Sequence, residues 1–226
     1  MSLPFRDRHD AGRQLAGLLA PYMDDRAVVL GLPRGGIPVA YEIAHVLHAA
    51  LDVFLVRHLP APGTPATRFG VVGSGGVRVL KQDVIASLCI AELAVEEITQ
   101  RESVSLIARE RTYRGHHAVE DPGGRLVILV DDGTTPADVL IEAVDALREH
   151  EPRTVVLALP FVAADVRPAL LCRVDDLVVV ATIPPPVDAG DWYHEFLPIS
   201  HTEVRALLSL CHAEAQSRAL AGSLEA

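Results

Sequence analysis

Hydrophobic positions along this chain follow two alternating rhythms. Leu15, Leu18, Leu19 and Tyr22 recur at helical spacing, so residues 8–22 read as an amphipathic helix. A short apolar run from Ala27 to Leu32 follows, ending in Pro33-Arg34-Gly35-Gly36, after which Val39, Ile43, Val46 and Leu47 trace one helical face. That order predicts strand, Gly-rich turn, helix. Asp52 to Arg57 reads as a second buried strand. Val71-Val72 and Val77-Arg78-Val79 flank Gly73-Ser74-Gly75-Gly76 as the arms of a hairpin would. Between them, His58 to Arg68 is rich in Pro and Gly and lacks periodicity, which predicts a long loop of the kind that serves as a mobile lid.

The second half repeats the alternation. From Ala91 to about Tyr113 the chain is charged and helical with sparse apolar contacts at Leu93, Ile98, Leu106 and Ile107, and reads as a solvated surface helix. Arg125 to Val130 is the cleanest buried strand; it runs into Asp131-Asp132-Gly133 and then a helix marked by Leu140, Val144 and Leu147. A strand from Thr154 to Leu159, a short helix broken at Pro168, and a strand from Leu177 to Ala181 complete the series. Strands alternating with helices predict an α/β protein with a parallel sheet covered on both faces. Such sheets bind ligands at the carboxyl ends of their strands, which directs attention to the turns after Leu32, Arg57 and Val130. Beyond Ala181, Pro184-Pro185-Pro186 interrupts the pattern and Trp192, Tyr193 and Phe196 gather in an irregular flap. The Ala- and Ser-rich tail from His212 onward is expected to fray, leaving one domain over residues 1–210 and a tail over 211–226.

Composition narrows the function. A formal charge of −10 argues against a nucleic-acid face, which would need clustered Lys and Arg to neutralise phosphates, so a small-molecule partner is expected. No apolar run reaches the roughly 18 residues of a membrane span, and the charged amino terminus lacks a secretory leader. The three cysteines, Cys89, Cys172 and Cys211, are far apart, which fits a reducing cytoplasm. Ten histidines occur without a His-Glu-x-x-His spacing.

Val127-Ile128-Leu129-Val130-Asp131-Asp132-Gly133-Thr134-Thr135 delivers two adjacent carboxylates at the exposed end of an apolar strand. Adjacent carboxylates repel, so a loop that keeps two of them usually serves hydroxyls, amides or a cation. This stretch resembles the phosphoribosyl pyrophosphate motif of type I phosphoribosyltransferases. Leu32-Pro33-Arg34-Gly35-Gly36-Ile37-Pro38-Val39-Ala40, Val56-Arg57, Ala61-Pro62-Gly63 and Asp191-Trp192-Tyr193 fall in the order seen in a bacterial subgroup of that family, so the resemblance covers roughly residues 5–208.

The resemblance implies the parallel-sheet, Rossmann-like fold of that family, with a small C-terminal hood and a mobile lid. It implies transfer of phosphoribose from magnesium-bound phosphoribosyl pyrophosphate to a nitrogenous base, and a homodimer. Asp131 and Asp132 would hold the ribose hydroxyls, with indirect help to Mg2+. Arg34, Gly35 and Gly36 would form the pyrophosphate loop, with Arg57 adding charge and His58 standing where the subgroup has Lys. Gly133, Thr134, Thr135, Ala137 and Asp138 would form the 5-phosphate loop, and Trp192 and Tyr193 would belong to the hood over the base. Catalysis would be electrostatic, through positioning and stabilisation of the departing pyrophosphate.

One stretch departs from the family pattern. Pro136, Ala137 and Val139 replace Thr, Gly and Thr. From physics alone the stretch reads as a self-capping helix start, with Thr135 at the N-cap, Pro136 in the first helical position and Asp138 three residues after the cap. Pro136 then offers no N–H, and Asp138 competes with a phosphate for the helix terminus. The alternative to an enzyme is therefore a non-catalytic homologue that keeps the fold as a ligand-sensing or dimer-forming module.

Overall fold

The computed structural model describes residues 5–24, 26–185 and 188–224. The chain opens with α1 (Arg8–Leu18), whose first turn is capped by Asp7 accepting from the Asp10 amide. Then come β1 (Val28–Gly31), α2 (Gly36–Leu47) and β2 (Ala50–Val53). Three strands follow, β3 (Val56–Ala61), β4 (Thr64–Gly73) and β5 (Arg78–Leu80), with two helices after them, α3 (Gln82–Ser87) and α4 (Glu92–Arg114). The second half runs β6 (Leu126–Val130), α5 (Ala137–Arg148), β7 (Thr154–Ala163), α6 (Arg167–Leu171), β8 (Asp176–Ile183) and α7 (His201–Leu224).

The main sheet has the order β2-β1-β6-β7-β8 with every pairing parallel, as the alternation predicts. Its side chains divide by parity. Val29, Ile128, Val130, Val156 and Ala158 pack on one face with Ile43 of α2 and Leu208 of α7. Val28, Leu129, Val155 and Leu157 pack on the other with Leu140 and Val144 of α5. A third, smaller cluster joins Phe5, Ala11, Phe161, Ile183 and Tyr193, and this is the hood that the aromatics after residue 181 suggest. β6 sits at the middle of the sheet with all five residues buried, so whatever follows Val130 is delivered to a fixed place.

Several expectations need correction. The strand read as Asp52 to Arg57 is two strands in two sheets: β2 ends at Val53, and Val56 begins the antiparallel sheet β3-β4-β5. The switch is stitched by the Phe54 amide donating to the Gly31 carbonyl and the Ser74 hydroxyl accepting from the Leu55 amide. Arg57 is therefore not at the end of a parallel strand. The loop expected over His58 to Arg68 is a hairpin, with Ala61 paired to Thr64 across Pro62-Gly63. Gly63 has φ +75°, the left-handed position that a Pro-Gly turn places at its third residue. The ladder slips around Pro60, which has no N–H to donate.

Helix α4 is more than a solvated surface. Its buried stripe is Val95, Thr99, Glu102, Leu106, Glu110 and Tyr113, ending in Arg114, while Leu93 and Ile107 are exposed. Arg114 donates to both oxygens of buried Asp52 at 2.7 and 2.9 Å, which ties the helix to the end of β2. Pro168 lies in the first turn of α6 and starts that helix instead of breaking it. The tail expected to fray from 211 continues α7 as far as Leu224, and Cys211 is buried. Glu214 anchors it by accepting from Tyr41 and pairing with His45. Among the described residues no helix is long and apolar enough to cross a membrane.

Candidate active site

Asp131 and Asp132 stand just past the buried end of β6 and are themselves only 2% and 1% exposed. Two buried carboxylates need donors, and the following residues supply them. The Thr135 hydroxyl donates to Asp131 Oδ1 at 2.7 Å, and the amides of Gly133 and Thr135 donate to Oδ2 at 2.9 and 3.2 Å. The Thr134 hydroxyl and amide donate to Asp132 Oδ1 at 2.7 and 3.2 Å. The loop folds back on the acids, a bend that Gly133 permits with φ +87°; a Cβ there would also press on the Phe161 ring. Burial raises the Asp131 carboxyl to about 7, and the neighbouring Asp132 adds to the rise.

The remaining oxygen of Asp132 is claimed by a residue that sequence reasoning missed. Arg8 Nε donates to Asp132 Oδ2 at 2.8 Å, in an ion pair whose side chains are 9% and 2% exposed. The same guanidinium donates to the Leu197 carbonyl and lies 4.0 Å from the Phe196 ring centroid. A signal existed in the sequence: Arg8 falls on the inward stripe of α1 with Ala11, Leu15 and Ala16, and a charge on an apolar stripe needs a buried partner.

The Gly-rich turn after β1 meets the acids directly. A Cβ built on Gly35 would overlap the Asp132 carboxylate, and one on Gly36 would lie 2.6 Å from the Val130 carbonyl. Arg34-Gly35-Gly36 and Asp131-Asp132 thus share one end of the sheet. Gly35→Ala is expected to cost about 1–3 kcal/mol of stability through overpacking. It is also expected to displace the Asp132 side chain; unchanged denaturant midpoints for Gly35→Ala and the unmodified chain would contradict this packing.

The other expected residues divide. Thr135 and Arg34 line one cavity of about 330 Å³. Arg57 lies in a neighbouring cavity with His58 and Arg68; Val56 lines both. Arg57 is engaged with Glu102 of α4 at 2.6 and 2.8 Å. His58 approaches Glu142 to 2.8 Å without a hydrogen-bonding angle, and burial lowers its imidazole below the ordinary range. Tyr193 is buried and donates its hydroxyl to the Asp132 carbonyl at 2.8 Å, so it braces the acid strand; Trp192 packs 5.7 Å from Phe161.

The helix start differs from the expected self-cap. The N-cap residue is Pro136, with no side-chain cap; Thr135 turns to Asp131 because a buried carboxylate needs its hydroxyl more than an exposed helix end does. Ala137 is the first residue of α5. Asp138 is 67% exposed and pairs with Arg68 at 3.2 Å, away from the helix amides. On its other side the loop borders a cavity of about 230 Å³ whose lining, including Leu140, Leu159, Phe161 and Val162, contains no cationic side chain.

Every oxygen of the two acids is hydrogen-bonded to the chain's own groups, and both acids are sealed from solvent. Magnesium keeps several waters and needs open oxygens. In this geometry the pair does not fit it, directly or through water.

The middle strand of this parallel sheet ends in paired acids against a Gly-rich turn on its neighbour, at the end of the sheet where open α/β proteins bind their ligands. Residues 7–188 match the phosphoribosyl transferase domain, and the chain belongs to that family. Two Mycobacterium tuberculosis proteins, from strains H37Rv and CDC 1551 and each named "putative phosphoribosyl transferase", are 38% identical over 211 residues. That alignment covers 93% of this chain and 47% of theirs, so the chain spans about half the length of these curated relatives. The crystal structure of the protein TT1426 from Thermus thermophilus superposes with a TM-score of 0.79 at 36% identity, covering 90% of this chain and 97% of that one.

Proposed function

We propose that the chain is a phosphoribosyltransferase that takes phosphoribose from phosphoribosyl pyrophosphate and transfers it to a nitrogenous base. The bond from ribose C1 to the pyrophosphate oxygen breaks, a C1–N bond forms, pyrophosphate leaves, and the base nitrogen releases its proton. The observation that carries this reading is the packing of Arg34-Gly35-Gly36 against Asp132 at the carboxyl end of the sheet. It puts a glycine turn able to approach anionic oxygens beside acids able to accept from ribose hydroxyls. The acids would take that role once the Arg8 pair opens, with Trp192 and Tyr193 in the hood above. Arg57 would add charge from the adjoining cavity, and a cytoplasmic homodimer is the setting we propose. No step is routed through magnesium.

The second reading, a non-catalytic module, is favoured by the 5-phosphate loop. Pro136 brings no N–H, and the cavity on one side of the loop is apolar. Incubation with labelled phosphoribosyl pyrophosphate and a panel of purine and pyrimidine bases separates the two. Enzymatic transfer predicts base-dependent release of pyrophosphate that Asp132→Asn abolishes. Saturable binding without release under any base would leave the sensing module.

A further inference from the structure

Three of the four oxygens of the paired acids are held from within their own loop, by Gly133, Thr134 and Thr135. The fourth, Asp132 Oδ2, is bonded among the described residues only to Arg8 of α1, at 2.8 Å. It is also the oxygen that faces the Gly-rich turn, since a Cβ built on Gly35 would overlap it. Freeing the other three oxygens means refolding the loop that follows the middle strand of the sheet. Freeing Oδ2 means moving one side chain from another element.

The same side chain holds down part of the hood. Arg8 Nη1 donates to the Leu197 carbonyl at 2.8 Å, and the guanidinium carbon lies 4.0 Å from the Phe196 ring centroid. Before this point the hood has anchors of its own: the Tyr193 hydroxyl donates to the Asp132 carbonyl, and the amides of His194 and Glu195 donate to the carbonyls of Phe5 and Arg6. After it, Ile199 packs on the core and the Ser200 hydroxyl accepts from the Glu203 amide at the start of α7. Between these anchors, over residues 196–198, the bond from Arg8 to the Leu197 carbonyl is the only hydrogen bond among the described residues. Phe196 stacks on Tyr193 at 5.1 Å, but Phe196 and Leu197 remain 36% and 71% exposed, so burial does little to keep this strap in place.

We propose that Arg8 is an internal cap on the site: its guanidinium occupies the one acid oxygen that a ligand hydroxyl can take, and a ligand that displaces it releases the strap over residues 196–198. Guanidinium and strap move together, because the bond to the Leu197 carbonyl and the contact with Phe196 do not involve the acid. A charge-assisted bond is stronger than the bond a neutral hydroxyl makes in its place, so the cap lowers affinity. Displacement also leaves a cation without its partner, and a ligand that carries an anion beside its hydroxyls, as a phosphorylated sugar does, supplies both needs. The inference rests on the phosphoribosyl-transfer reading for the choice of sugar. By linkage, whatever weakens the cap strengthens ligand binding, and whatever binds at Oδ2 loosens the strap.

The probe is ribose 5-phosphate, which offers the hydroxyls and the anion without a group to transfer, titrated calorimetrically into the full chain. Phe196→Leu removes the ring beside the guanidinium, keeps an apolar side chain on the exposed strap and touches neither acid. It is expected to tighten binding about three- to tenfold at an unchanged melting temperature. Arg8→Lys keeps the charge but loses the planar fork, and is expected to tighten binding as well. Chymotrypsin reads the strap by cutting between Phe196 and Leu197. Ribose 5-phosphate is expected to speed that cut in the unmodified chain, and Arg8→Lys to speed it without ligand. If Arg8 serves only to hold the fold, the signs reverse: both variants bind more weakly and the ligand protects the strap, and either result overturns the inference. Equal affinity across the three chains overturns it too, as does binding by none of them at millimolar concentration. The two proposals fail separately. Cap-controlled binding of ribose 5-phosphate with no transfer to any base sinks the enzymatic reading and keeps the cap; base-dependent release of pyrophosphate with an unaltered KM for phosphoribosyl pyrophosphate in Phe196→Leu does the reverse.

Discussion

Arg8→Met is expected to destabilise the chain by about 3–5 kcal/mol, because it strands a buried carboxylate without its counter-ion. Asp132 is 1% exposed, and Arg8 is the only guanidinium that touches it among the described residues. Methionine preserves much of the packing against Phe196 that the arginine stem provides, so the loss reports the charge. For a chain of this length the drop in melting temperature should be roughly 6–20 °C. A double-mutant cycle gives the sharper reading: Arg8→Met with Asp132→Asn should recover most of the loss, since both charges are then gone together. If the double variant is as unstable as the sum of the singles, the ion pair is not what holds α1 to the site.

The same pair shows what the sequence could and could not disclose. Strands β1, β6 and the first part of β7, to Leu159, are legible because each is a nearly unbroken apolar run, as a strand buried on both faces must be; Pro160 hides the continuation of β7 to Ala163. The Gly-rich turn and the acids are legible as motifs for the same reason, since each follows directly from such a run. Arg57 is harder to place, because a change of sheet at Phe54-Leu55 leaves no break in the apolar pattern. The hairpin at Ala61 to Thr64 is hidden by prolines that count against a strand, although Pro62-Gly63 is itself a turn signal.

The residues missed altogether are those whose meaning depends on distant partners. Arg8 and Asp132 are 124 positions apart, and Arg109 lines the same cavity as Arg34 from a helix whose end Arg114 ties to Asp52 of β2. Asp138 is the converse case. Local rules make it a cap that repels phosphate, yet Arg68 on the hairpin neutralises it and holds it away from the helix amides. A capping pattern states what a helix end would do in isolation, and here tertiary partners override it.

Asp131 carries the other large expected effect, in the dependence of stability on pH. Its carboxyl titrates near 3.8 in an unfolded chain and is raised to about 7 in the folded one, first by burial and then by Asp132. Between those values the folded chain holds a proton that the unfolded chain has released. Stability from this group is therefore full below about pH 4 and is lost as pH rises through 7, a change on the order of 4 kcal/mol. The hydrogen bonds agree with a protonated acid: Oδ2 accepts two amides, while Oδ1 meets only the Thr135 hydroxyl, which can turn to accept a proton from it. Asparagine reproduces that arrangement, with its oxygen toward the amides and its NH2 toward Thr135. Asp131→Asn should thus fold normally, match the unmodified chain near pH 4, and become the more stable of the two by pH 8. Melting temperatures measured from pH 4 to 8 should diverge over that window, and two parallel curves would show that Asp131 is ionised throughout.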